Sequence, residues 1–405
     1  METKKPQSNN REILLMSLNF FFFYGSMGFI QPYLSLQLYN IGMNGTKIGL
    51  LSTISSLLTF IMSPVISMVY ENSGKKQRFT QILVLLSGIF YYLIGEMLLF
   101  WFVLIFFSIS SICNSTIIPV TENLAYNISI SGKKQGESRF GFIRQFGSLG
   151  YALAALIGGW ILDQYQIRLN FFLNLIFMLI VMALISFLPG SIFNLAKAGH
   201  GFRDKLRSAE LLRIITSNKY LLFMISALAF FTLSSGMGQF EAIFMSQLEI
   251  SKTMIGLAIT ITALSEIPFM MWTDVLVVKF GVTKLLLFAF IFEFIRRILV
   301  YIFPFGWVVF VTRILHSVSF SLYTVLIVSL INQQISAKYS TSVLTLINVT
   351  IFGIFSMLGS GFSGVVFDLY SAHELYLISG ILCLISIGLT LCAAMVEKKE
   401  FKSTE

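Results

Sequence analysis

The stretch RLNFFLNLIFMLIVMALISFLPG, residues 168–190, is charged only at its first position, Arg168, and then runs apolar for about twenty residues. A helix rises about 1.5 Å per residue, so such a run covers about 30 Å of hydrocarbon. A strand of a transmembrane barrel would alternate apolar and polar positions, and this run does not. The reading is therefore a membrane-crossing helix, and the same pattern recurs along the chain. Spans are expected at about 12–37, 46–70, 80–98, 100–126, 141–164, 168–190, 219–247, 253–276, 283–302, 305–332, 340–367 and 373–396, twelve in all.

Composition agrees. With 56% hydrophobic and 12% charged residues over 405 positions, there is about half the charge that a soluble domain of this size needs on its surface. The expected fold class is an all-α membrane protein. The first span is too long for the core of a signal peptide and lacks a small-residue cleavage site, so it is counted as mature structure.

Lysine and arginine gather in alternate loops. Lys4, Lys5 and Arg11, then Lys75, Lys76 and Arg78, then Lys133, Lys134 and Arg139 fall on one side, as do Lys197, Arg203, Lys205, Arg207, Arg213 and Lys219. Lys279, Lys284, Lys338, Lys398, Lys399 and Lys402 join them, whereas Lys47, Arg168 and Lys252 fall opposite. The positive-inside rule then places both termini in the cytoplasm of a cell bounded by a plasma (inner) membrane. This asymmetry also accounts for the net charge of +9 and removes any need for a nucleic-acid partner. Cys113, Cys383 and Cys392 lie within spans without metal or redox spacing and read as reduced packing residues, so no metal is expected.

The longest polar interruption, 191–218, divides the chain into an N-terminal six-helix bundle, 1–190, and a C-terminal one, 219–405. Each half has a short basic turn after its second span, with Gly74 and Lys76 in the first and Gly281 and Lys284 in the second. Such an internal repeat is what carriers use to build a central site between two bundles. Pro32, Pro64, Pro119 and Pro268 bend spans, and Gly147, Gly150, Ala154 and Gly158 let a neighbour approach span five closely.

Ionisable residues at mid-membrane cost about 2.5–3.5 kcal/mol even on a lenient insertion scale, so each needs a partner, a wet cavity or a task. Glu122 in span four and Arg144 in span five, with Ser148 and Tyr151 one and two turns further along the same face, can converge. Carboxylate and guanidinium together bind hydroxyl groups in pairs, and a ring beside them offers a flat surface to the C–H face of a sugar. A purely structural Glu122–Arg144 pair is the alternative. In the second half Glu293, Arg296 and Arg297 lie within one turn on span nine, and Arg313 and His316 within one turn on span ten. Each cluster reads as internally neutralisable. With Glu241 and Glu266 they form the set whose proton affinity depends on its partners, as proton coupling requires, or else a fixed ionic network. Glu96 has no evident partner.

No phosphate-binding G-x-x-x-x-G-K-[S/T] loop and no H-E-x-x-H or G-x-S-x-G pattern occurs, which argues against an ATP-driven pump or a hydrolase. The protein is expected to be no enzyme, with no cofactor and with a proton gradient as its energy source.

Two stretches bear a family resemblance. Phe21-Phe22-Phe23-Tyr24-Gly25-Ser26-Met27-Gly28 with Pro32, and Glu122 with Phe140-Gly141-Phe142-Ile143-Arg144-Gln145-Phe146-Gly147-Ser148-Leu149-Gly150-Tyr151, resemble the oligosaccharide:proton symporters of the major facilitator superfamily. The resemblance implies the major facilitator fold and a sugar-binding Glu122 and Arg144, with Tyr151 where lactose permease has a stacking tryptophan. It places Glu266, Arg296 and His316 among the family's ionisable residues of spans eight to ten, with Arg313 for a lysine. The departures are Ser319, where the permease has a glutamate central to proton release, no basic residue in span eleven, a displaced Glu241, and Glu71 in place of aspartate in the cytoplasmic turn. The implied function is proton-coupled import of a sugar, oligosaccharide or similar hydroxylated solute by alternating access, by a monomer in the bilayer. The alternatives are a drug or metabolite exporter of the same fold, an importer of nucleosides or aromatic acids, and a transport-like receptor.

Overall fold

A computed structural model describes residues 10–97, 99–130, 139–195, 213 and 215–404. The expected loop positions Lys4, Lys5, Lys133, Lys134, Lys197, Arg203, Lys205 and Arg207 lie outside them, as do 196–212 and 214 of the expected central loop.

Among the described residues the chain is a succession of helices. These are α1 (Asn10–Ile30), α2 (Leu34–Asn40), α3 (Gly45–Asn72), α4 (Lys76–Glu96), α5 (Phe100–Ile130), α6 (Phe140–Gln164), α7 (Arg168–Ser186) and α8 (Gly190–Leu195). Then come α9 (Lys219–Ser235), a 3-10 turn (Gly236–Phe240), α10 (Glu241–Gln247), α11 (Lys252–Phe280), α12 (Val282–Ile302) and α13 (Gly306–Gln334). The last are α14 (Ala337–Asn348), a π-helical stretch (Val349–Phe355), α15 (Ser356–Leu369) and α16 (Ala372–Thr404).

Eleven helical stretches among the described residues are long and apolar enough to cross a membrane. The expected span at 283–302 is absent from these for a physical reason. This 21-residue helix, α12, contains Glu293, Arg296 and Arg297 within little more than one turn, charge that lipid would not accept unpaired. Prolines 64, 119 and 268 fall inside α3, α5 and α11, while Pro32 sits in the turn between α1 and α2.

The chain forms two compact units. The first contains α1, α4 to α8, α3 from Ile54 onward and Ser251–Thr260; the second contains Leu38–Thr53, α9, α10, α11 from Ile261 onward and α12 to α16. Each has its own apolar core, built around Phe20, Phe23, Ile117, Met178 and Val181 in the first and Leu228, Phe290, Leu326 and Ile351 in the second.

Within the first unit, α1 and α6 cross at backbone contact. A Cβ on Gly150 would stand 2.1 Å from the Phe21 carbonyl oxygen, and one on Gly28 would stand 2.5 Å from that of Tyr151. The small residues noted on span five thus serve this crossing. Buried amides secure the third helix of the group: Asn174 donates to the Ser26 carbonyl at 2.9 Å, and Asn170 to those of Phe29 and Gly158, both at 3.2 Å.

Two helix starts are held by a carboxylate from a different helix. Asp163, near the end of α6, accepts from the Lys252 and Thr253 backbone N–H groups at 2.9 and 2.8 Å and from the Thr253 hydroxyl at 2.6 Å. Asp368, near the end of α15, accepts from the Gly45 and Thr46 N–H groups at 2.6 and 2.7 Å. Free N–H groups at a helix start have no intrahelical partner, and a carboxylate there satisfies them and complements the helix dipole.

Candidate functional site

The α1–α6 crossing sets the first group of polar side chains. Arg144, on the opening turns of α6, lies with its guanidinium carbon 4.3 Å from the centre of the Tyr24 ring and 5.9 Å from that of Phe20, both on α1. The Tyr24 hydroxyl donates to Glu122 Oε1 across 3.4 Å, and Arg144 Nε stands 3.9 Å from the same oxygen. The two charged side chains are 37% and 41% exposed, so their attraction is screened and worth about 0–1 kcal/mol. They are held by position more than by each other, which leaves both free to bond a third group.

Sequence reasoning brought Glu122 and Arg144 together, and the structure places them so. Ser148 is half-buried a turn beyond Arg144. Tyr151 packs half-buried against the apolar core of the first unit. The ring in contact with Arg144 is that of Tyr24, which the sequence reading used only as part of a resemblance. The aromatic run Phe20 to Tyr24, with one hydroxyl at its end, was the available signal.

The second group belongs to the second unit. Glu293 Oε1 accepts from Arg296 Nη1 at 3.1 Å and from Arg297 Nε at 3.1 Å, and its Oε2 lies 3.0 Å from His316 Nδ1. Arg297 Nη1 also donates to the Ser234 carbonyl at 2.8 Å. Arg296 Nη2 donates to Glu241 Oε1, and Arg313 Nε approaches that oxygen at 3.3 Å. The two clusters expected on spans nine and ten are thus one, joined through Glu241. The break at Gly236–Phe240 sets Glu241 at the first turn of α10, so the acid that looked displaced in the sequence is the hub.

Glu241, Glu293, Arg296 and Arg297 are at most 3% exposed, while the Arg313 and His316 side chains are 11% and 31% exposed. The cluster opens at those last two. Within it three guanidinium groups, Arg296, Arg297 and Arg313, bond two carboxylates, Glu241 and Glu293. Ser319 is fully buried and its hydroxyl donates to the Ala289 carbonyl, which fastens α13 to α12. Glu266 is half-buried on α11, and Ser321 donates to its backbone carbonyl at 3.2 Å. Glu96, unpaired in the sequence reading, lies 3.7 Å from Arg168 in an exposed pair.

A match to the MFS_1 like family runs over residues 13–378. The chain belongs to this family, and so to the major facilitator superfamily. This major facilitator protein is 25% identical over 387 residues to "Uncharacterized transporter YwbF" of Bacillus subtilis, covering 92% of this chain and 91% of the relative. It is 26% identical over 309 residues to the maltose permease of Geobacillus stearothermophilus, covering 75% of each. Its fold is that of the nucleoside transporter NupG, with a TM-score of 0.79 at 14% identity over 94% of this chain and 98% of the other. The MFS protein is therefore a multi-pass membrane transporter and not an enzyme.

Proposed function

We propose that this transporter imports a sugar or similar hydroxylated small solute together with a proton, by alternating access. The observation that carries the reading is the Tyr24, Glu122 and Arg144 group. A half-exposed carboxylate and guanidinium stand 3.9 Å apart beside an aromatic hydroxyl, an arrangement of donors and acceptors suited to adjacent sugar hydroxyls. Glu122 and Arg144 hold the hydroxyls, Ser148 adds a further polar group, and Tyr24 and Tyr151 offer rings. The kinship to a maltose permease supports a sugar over other small solutes.

Proton coupling in this reading runs through the charged cluster. The His316–Glu293 bond joins a base to an acid at its partly open edge, and Arg296, Arg313, Glu241 and Glu266 set how readily that edge takes a proton. The proton gradient is the only energy source, and no cofactor is needed. α12 is the twelfth span, crossing lipid because its charges are bonded to neighbours. The halves 1–190 and 219–405, joined by the loop 191–218, form a monomeric carrier in the plasma membrane with both termini cytoplasmic.

The test is external pH in a lightly buffered suspension of energy-depleted cells making the protein, as maltose, sucrose, galactosides and nucleosides are added in turn. Alkalinisation by a sugar, abolished in Glu122→Gln, is the expected result. Silence to every sugar, with transport of another solute, overturns the substrate assignment and leaves the transporter standing.

A further inference from the structure

We infer that a cavity at one end of α4 and α7 holds the headgroup of a membrane phospholipid bearing a primary ammonium, with Glu96 on the ammonium and Arg168 on the phosphate. The site lies wholly within the first compact unit and does not depend on which solute is carried.

α4 and α7 run antiparallel and in contact. At one end Gln77 donates to the Ile185 and Leu188 carbonyls at 2.8 and 3.0 Å, and at the other a Cβ on Gly95 would stand 2.8 Å from the Phe171 ring. The first end carries Lys75, Lys76 and Arg78. The second carries the cavity, of about 330 Å³, lined by Tyr92 and Glu96 of α4, Tyr165 just after α6, and Arg168 and Phe172 of α7. It therefore lies at the membrane face opposite the basic turn, which the proposed orientation makes the outer one. Its size suits a headgroup, being at the small end for ligand sites.

The charged pair in this cavity is spread and not closed. Arg168 Nη1 stands 3.7 Å from Glu96 Oε2, too far for a hydrogen bond, and neither side chain makes one to the protein among the described residues. A guanidinium and a carboxylate so placed can each make short charge-assisted hydrogen bonds to a third group, the first to a phosphate and the second to an ammonium. Two opposite charges side by side match a zwitterion. The walls select a lipid over a soluble zwitterion: Tyr165 and Phe172 are exposed, as is Trp160, whose ring centre is 6.1 Å from that of Tyr165, and Tyr92 meets Phe172 edge to face at 6.4 Å. Exposed rings at a helix end lie at headgroup level in a bilayer, where their faces cover glycerol and the upper acyl chain. A quaternary ammonium has no N–H to give Glu96, and a glycerol headgroup has no positive charge, so ethanolamine is the base that fits.

Full-length protein stripped of lipid in mild detergent is given phosphatidylethanolamine, its N-methyl and N,N-dimethyl forms, phosphatidylcholine and phosphatidylglycerol at equal concentrations, and bound lipid is counted by native mass spectrometry. Phosphatidylethanolamine should bind about fivefold better than phosphatidylcholine or phosphatidylglycerol, with a step down at each added methyl. Glu96→Gln should bring the ethanolamine and choline lipids to within about twofold of each other, and Arg168→Gln should lower binding of both. Equal binding of the ethanolamine and choline lipids by the unaltered protein, or a preference for phosphatidylglycerol, overturns the inference. An unchanged preference in folded Glu96→Gln protein, or unchanged binding in folded Arg168→Gln protein, overturns the placement of the site. Soluble glycerophosphoethanolamine that displaces the lipid at equal concentration overturns the lipid as occupant. Both side chains are exposed, so the variants should fold, and the headgroup series on the unaltered protein decides the chemistry without them. Because binding is read with no solute present, the sugar-carrier reading stands or falls separately.

Discussion

Asp368 holds the first turn of α3 as Asp163 holds the first turn of α11. Both carboxylates sit near the end of one helix and accept two successive backbone N–H groups of another. The surrounding sequence repeats too. Gly159 and Gly364 each stand four residues before the aspartate, and a Cβ on either would meet the backbone of the captured helix, at the Lys252 carbonyl in one case (2.3 Å) and the Gly45 carbonyl in the other (2.4 Å). Thr46-Lys47-Ile48-Gly49-Leu50 and Thr253-Met254-Ile255-Gly256-Leu257 are the corresponding first turns. The weak repeat seen in the basic turns therefore has a stronger counterpart at the other ends of the helices.

Loss of either aspartate should loosen one helix start. Asp163→Ala and Asp368→Ala should each destabilise the protein by about 1 kcal/mol, and the double variant by about the sum, because the two caps belong to different compact units. The corresponding asparagine variants should lose less, since the amide oxygen still accepts. Unfolding in detergent, followed by cysteine-reactive dye or by light scattering, measures both; equal losses for Ala and Asn would refute the capping role.

Gly150→Val should disrupt uptake through geometry and not chemistry. The added side chain would begin 2.1 Å from the Phe21 carbonyl oxygen, so α1 must move from α6 and carry Tyr24 away from Arg144. A loss of stability of about 1–3 kcal/mol from overpacking is expected, together with weaker solute binding. Solute affinity at a temperature well below the melting point separates the two effects.

Tyr24 allows the hydroxyl and the ring to be tested apart. Tyr24→Phe removes the 3.4 Å bond to Glu122 but keeps the face beneath Arg144, and should weaken solute binding only a few-fold. Tyr24→Ala removes both, and its additional loss should correspond to about 0.5–2 kcal/mol of cation–π interaction. Equal affinities for the two variants would show that the ring contributes nothing.

The two glutamates that look alike in the sequence should behave oppositely on removal. Glu293→Gln removes the buried negative charge that Arg296 and Arg297 share and should cost about 3–5 kcal/mol, seen as loss of folded protein. Glu122→Gln, at a site about 40% exposed, should cost less than about 1 kcal/mol and abolish transport while the protein stays folded. Melting curves of the two variants beside wild type settle the contrast.

Length and hydropathy alone were enough to read a polytopic helical membrane protein, because crossing about 30 Å of hydrocarbon leaves the same mark in every span. The Glu122–Arg144 pair was also legible, since helical spacing puts residues of adjacent spans within reach and buried charge demands a partner. What the sequence could not supply were distances across the chain. That Glu241 joins Arg296 to Arg313 depends on a 3-10 turn that breaks one helix, and that Tyr24 lies over Arg144 depends on how closely two backbones cross at Gly28 and Gly150. The pairing of Asp163 with Lys252 and Thr253, of Asp368 with Gly45 and Thr46, and of Glu96 with Arg168 joins residues far apart or on separate helices. Periodicity reports which face of a helix is apolar, but only tertiary packing decides which polar groups meet.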